Sequence, residues 1–123
     1  MRELTKAEEQ IMQILWLLGK AFVKEIIEEM PDPKPAYNTV STIVRILERK
    51  GFVSHQAFGR SHQYFASVSE EEYKTSYFKN YLNSYFGNSF SSMISFFAKK
   101  EEMDVESFDK LMNEVREDLQ SED

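Results

Sequence analysis

Five side chains on one stretch of this sequence could share a chemistry. Asn38, Ser41, Thr42, Arg45 and Arg49 lie at offsets of 0, 3, 4, 7 and 11, a spacing that gathers residues on one face of an α-helix. Short polar side chains such as Asn38, Thr39, Ser41 and Thr42 can approach base edges in a DNA groove. There an Asn amide pairs bidentately with adenine, and a Thr methyl packs on the thymine methyl. Arg45, Arg49 and Lys50, further along, suit phosphate or guanine. Tyr37 opens the stretch, Lys34 precedes it, and Arg60 stands between Gly59 and Ser61 in what reads as a hairpin tip. A polar helix face taken alone is more often merely solvated, so the DNA reading depends on charge and on the elements that position these residues.

The charge is unevenly distributed. The chain carries a net charge of −6, but residues 1–68 hold nine Lys/Arg against eight Asp/Glu, and residues 69–123 hold six against thirteen. Within residues 34–68 the charged side chains are Lys34, Arg45, Glu48, Arg49, Lys50 and Arg60, a local net of +4. A basic patch in an acidic protein is the electrostatic footprint of a localised phosphate contact.

Catalytic chemistry finds no support in the sequence. A Gly-rich phosphate loop, a Gly-x-Ser-x-Gly elbow and a His-Glu-x-x-His pair are all missing. Zero cysteines exclude thiolate metal sites, Fe–S clusters and disulfide frameworks. His55 and His62 could neighbour each other diagonally across a hairpin, but no accompanying carboxylate or thiol is evident, so solvated or satisfied histidines are expected. The expectation is a protein that is not an enzyme and has no cofactor or metal. The start lacks a signal peptide's apolar stretch and no run approaches a bilayer span, which predicts a cytoplasmic chain without a membrane partner.

At 123 residues the length suits one domain, or one domain and an arm. Thr5-Lys6-Ala7-Glu8 has capping-box spacing, and Ala7, Ile11, Ile14, Leu15 and Leu18 continue a helix over 6–18 that stops at Gly19. Val23, Ile26, Ile27 and Met30 predict a short second helix ended by prolines 31, 33 and 35. A third helix is predicted from about Tyr37 to Lys50, stopping at Gly51, with Val40, Ile43, Val44 and Leu47 inward. Residues 52–66 have β-type composition around Gly59-Arg60, a hairpin signal. Three short helices and a hairpin are the order of a winged helix-turn-helix, whose third helix enters the major groove while the hairpin meets the backbone.

Beyond residue 68 the pattern is helical again. Ser69, an N-cap followed by three glutamates, opens a helix marked by Tyr73 to Phe86; Phe90 to Phe97 mark the next, and Val105 to Leu119 the last. Its large apolar side chains exceed what a small arm can bury, so burial against a second copy is expected. The candidate dimer contacts are Tyr77, Phe78, Tyr81, Leu82, Tyr85, Phe97, Phe108, Leu111 and Met112. The predicted fold is therefore mostly α with a small β-hairpin: a winged-helix DNA-binding domain at 1–68 and a helical dimerisation domain at 69–123. The partners expected are an inverted-repeat double-stranded DNA operator and a second copy of the chain. A winged-helix dimer serving only as a protein-interaction module is the alternative, and it gives no reason for positive charge on helix 3 and the wing.

The segments from Leu4 to Trp16, Glu25 to Ile27 and Asn38 to Gly51, the wing Gly59-Arg60 with Tyr64, and the helix entry Ser69 to Tyr73 resemble the penicillinase-repressor family (BlaI/MecI/CopY type) over nearly the whole chain. The resemblance implies a transcriptional repressor with a winged helix and a helical dimerisation domain. It also implies a regulatory protease that ends repression in some members, and metal binding by cysteines in the copper branch. This chain has no cysteine, which removes the copper motif, and the family's Asn-Phe cleavage pair falls by position on Phe96-Phe97, where the Asn is absent.

Overall fold

The computed structural model describes residues 1–121. It contains six helices and three strands in these residues: α1 Lys6–Leu18, β1 Lys20–Ala21, α2 Val23–Glu28, α3 Tyr37–Arg49, β2 Val53–Phe58, β3 Ser61–Ala66, α4 Glu70–Phe86, α5 Phe90–Lys100 and α6 Val105–Ser121. The helix order and the hairpin match the predicted architecture. The two-residue strand β1 was not predicted; it is too short to show alternation and is defined by its pairing to β3, Lys20 with Phe65 and Ala21 with Tyr64. The sheet order is β1-β3-β2, all antiparallel. Among the described residues no helix is long and apolar enough to cross a membrane.

The chain divides into two compact units, Met1–Tyr77 and Phe78–Asp123. In the first, Ile11, Leu15, Ile26, Val40, Val44 and Leu47 are fully buried and are joined by Phe52, Val53, Tyr64 and Tyr73. The unit thus reaches past the expected boundary at 68/69, because Tyr73 belongs to its core. The Tyr73 ring lies 6.0 Å from both Trp16 and Phe52, and its hydroxyl accepts the Leu4 N–H and donates to Glu9, each at 3.3 Å. Trp16 in turn donates its indole N–H to the Val68 carbonyl at 2.8 Å.

The predicted capping box forms: Thr5 Oγ1 accepts from the Glu8 N–H at 3.2 Å, and Glu8 Oε1 accepts from the Thr5 N–H at 2.9 Å. Glu8 is nonetheless buried, and its two oxygens receive Lys50 Nζ at 2.9 and 2.8 Å. Burial pushes the Glu8 carboxyl up, but Lys50's hydrogen bond and charge, with the Thr5 backbone and hydroxyl, outweigh it and hold the group below the ordinary carboxylate value. A depressed folded-state value contributes stability above the unfolded carboxyl's titration and loses it as pH falls through the folded one. Glu8→Gln is therefore expected to cost about 1–3 kcal/mol at neutral pH. It should also flatten the decline in stability below about pH 5, as read by urea unfolding at several pH values.

The second unit differs in kind: none of its described residues is buried. Tyr85, Phe90 and Leu119 are more than half exposed, and Phe78, Phe96, Phe97, Leu111 and Val115 are also exposed. Rings do gather where α4 meets α5, Phe86 standing 5.7 Å from Phe96 and 6.4 Å from Phe97. The connection is a tight pair, Gly87 and Asn88, with φ of 55° and 64°, a left-handed conformation that glycine and asparagine tolerate best.

Candidate nucleic-acid interface

α3 has no side-chain cap at Ala36, so its first N–H groups and the positive end of its dipole are presented for an anion. Its buried residues are Val40, Ser41, Val44 and Leu47. Facing away from them, Asn38, Thr39, Thr42, Arg45 and Arg49 are exposed, as is Tyr37 at the start of the helix. Thr42 donates its hydroxyl proton to the Asn38 carbonyl at 2.8 Å, which leaves a methyl group and an acceptor lone pair for a base edge. Thr42, Arg45, Glu48 and Arg49 share one shallow concavity.

Three expected contact residues are placed elsewhere. Ser41 is only 8% exposed; at about 100° per residue it lies about 60° from Val44 round the helix, on the flank of the apolar stripe. Lys50 is held by Glu8 of α1 across 42 residues of sequence. Lys34 turns back onto the end of α2, where its ammonium donates to the Glu28 carbonyl at 3.0 Å and to the Met30 carbonyl, adding to the backbone donors Glu29 and Met30 that close the helix terminus. The cations presented by the expected set are thus Arg45, Arg49 and Arg60.

The wing is formed by β2 and β3 in register from Val53 with Ala66 to Phe58 with Ser61. Gly59 and Arg60 make a two-residue turn in which Gly59 has φ of 61°, as a tight hairpin with glycine in first position requires. Arg60 and Ser61 at the tip are exposed. Between wing, α2 and α3 runs a groove lined by Phe22, Lys24, Glu25, Glu28, Tyr37, Phe58 and His62, among others.

Along the wing's strands the two histidines, His55 on β2 and His62 on β3, do not stand alone. Their rings stack with centroids 4.1 Å apart and planes 8° from parallel. Contrary to the expectation that no carboxylate accompanies them, Glu48 Oε2 on α3 lies 2.5 Å from His55 Nδ1. Both rings also flank Tyr64, at 5.7 and 6.1 Å. Burial pushes the Tyr64 hydroxyl above its ordinary value, and Glu48 adds to the shift while Arg45 opposes it. Among the described residues no group of three or more His, Asp or Glu is arranged to hold a metal ion. A carboxylate seven residues before a strand histidine, across a glycine helix stop, was the available but unused signal for this contact.

Comparison with known proteins follows the same outline. The family model for the penicillinase repressor matches residues 4–117. The methicillin resistance regulatory protein MecI of Staphylococcus aureus (strain N315) is 30% identical over 112 residues, covering 90% of this chain and 91% of that one. A penicillinase repressor of Staphylococcus aureus is 25% identical over 117 residues, 92% of this chain and 93% of that one. In three dimensions, the DNA-binding domain of the repressor BlaI aligns with a TM-score of 0.51 and 25% identity, covering 58% of this chain and 88% of that one. With a winged helix of this outline and a family match running through both compact units, this chain belongs to the penicillinase repressor family.

Proposed function

We propose that the protein is a homodimeric transcriptional repressor that binds an inverted-repeat DNA operator through α3 and the wing. The observation that carries the reading is the outward face of α3: Asn38, Thr39, Thr42, Arg45 and Arg49 are exposed together beside an uncapped helix N-terminus, with Arg60 at the tip of the adjoining wing. In this reading Asn38 and Thr42 read bases, Arg45 and Arg49 take guanine or phosphate, Arg60 takes the backbone or minor groove, and Tyr37, Thr39 and Ser61 complete the contact. Dimerisation places two such helices about one DNA turn apart, as a palindromic site demands. The dimer contacts are Tyr77, Phe78, Tyr81, Leu82, Tyr85, Phe97, Phe108, Leu111 and Met112. Support for pairing comes from a second unit with abundant apolar side chains and no buried described residue. A cut by a regulatory protease in α4 or α5 would end repression by separating the copies.

Three arginines per protomer give six in a dimer, so log–log plots of affinity against salt should have a slope near −5, at about −0.9 per phosphate neutralised. Within that dependence, Asn38→Ala or Thr42→Ala should cost about 1–3 kcal/mol on a site recovered by random-DNA selection and spare non-specific binding. Arg60→Ala should weaken all sequences alike. A salt-independent affinity would sink the interface, and an Arg60 variant with altered sequence preference beside an inert Asn38 variant would reverse the roles of helix and wing.

A further inference from the structure

The sequence holds two histidines, and the fold stacks them on each other across the wing's two strands. Resting on the DNA-binding reading above, we propose that His55 and His62 are positioning residues that make operator binding proton-linked: the pair takes up one proton per protomer when the wing meets the DNA backbone.

Glu48 accepts from His55 Nδ1–H, so the His55 ring has Nε2 as its remaining proton acceptor. This hydrogen bond ties β2 to α3, and Glu48 lies in the same concavity as Thr42, Arg45 and Arg49. A carboxylate there opposes phosphate; a cationic imidazole bonded to it cancels that opposition and holds the wing against the reading helix. The charged and titratable neighbours are Glu48, Arg45 and Tyr37 from α3, Tyr64 from β3, and, across the groove beside His62, Lys24, Glu25 and Glu28 from α2; Arg60 lies two residues before His62 in the turn. Three carboxylates stand here among the cations Lys24, Arg45, Arg49 and Arg60, so the added negative charge that favours a cationic imidazole on this side comes from the DNA. An opposite charge within about 4–6 Å favours the protonated form of an imidazole, whereas two protonated rings in a stack repel. With the rings stacked at 4.1 Å, a second charge on the pair is opposed by the first, which limits the proposed uptake to one proton. Histidine is the side chain whose ordinary titration falls between pH 5 and 8, and the double variant below separates the pair from the chain's other titrating groups.

Binding of the full-length protein to its selected operator, measured at constant ionic strength from pH 7.0 to 5.5, should strengthen by about tenfold or more, since linkage ties the pH slope to protons taken up. A variant carrying His55→Asn and His62→Asn should be flat within about twofold over the same range and bind no more tightly than the parent at pH 7.0. Glu48→Gln should bind more tightly than the parent at pH 7.0 and show a shallower profile. In the unsubstituted protein, the imidazole proton signals followed by NMR should titrate at higher pH with operator bound than without. This measurement does not depend on how the variants fold. A parent profile that is flat, a double variant that keeps the parent's slope, or imidazole titrations unmoved by operator would each overturn the proposal while leaving DNA binding intact. Failure to bind any selected sequence at any pH would instead overturn the repressor reading, and this inference with it.

Discussion

Truncation after Tyr77 is expected to yield a folded monomer that still recognises a half-operator, but about 10²–10⁴-fold more weakly than the full chain binds the palindrome. The first unit has its own core, from Ile11 and Leu15 through Val40, Val44 and Leu47 to Tyr73, and the proposed contacts on α3 and the wing all belong to it. The second unit has no buried described residue; in the proposed dimer its contribution is pairing, which would make the second half-site encounter intramolecular. Sedimentation at tens of micromolar and operator titrations of both proteins provide the check. A full-length protein that stays monomeric, or a fragment that holds the palindrome as tightly, would remove dimerisation from the account.

Replacing Tyr73 by alanine should cost about 3–5 kcal/mol, the usual range for truncating a buried aromatic. The ring packs on Trp16 and Phe52, joining the end of α1 to the residue after the α3 stop, and its hydroxyl meets Leu4 and Glu9 near the N-terminus. Tyr73→Phe keeps the ring and should cost only about 0.5–1.5 kcal/mol. Urea unfolding of the 1–77 fragment and its two variants separates the ring from the hydroxyl. For the same reason, a fragment ending at Ser67 should be much less stable than one ending at Tyr77. Equal stability of the two fragments would show that the tyrosine is dispensable.

Helix limits were legible because their signals are local: Thr5 and Glu8 form a box three residues apart, glycines follow α1 and α3, and prolines 31, 33 and 35 crowd the segment after α2. The outward face of α3 was legible from periodicity, apart from Ser41, whose small side chain fits the edge of the apolar stripe. What escaped sequence reasoning depends on tertiary contact. Lys50 looks like any cation at a helix end until Glu8 arrives from 42 residues away. Lys34 reads as part of a basic patch until the chain folds it onto α2's carbonyls. Tyr73 belongs by helical spacing to the second unit and by packing to the first. Glu48, the one acid in residues 34–68, acquires its partner when β2 comes alongside α3.

The bond between Glu8 and Lys50 also bears on how sequences of this kind can diverge. A buried carboxylate left without its ammonium is costly, yet an apolar pair of similar volume often replaces a buried ion pair at little or no loss. These two positions are therefore expected to change together among related sequences, acid and base retained as a pair or exchanged together for apolar residues. Asn38, Thr42 and Arg49 carry no such obligation, since nothing in the core depends on them. If α3 reads the operator as proposed, its preference can drift at the exposed positions of that helix while the scaffold that presents them stays fixed.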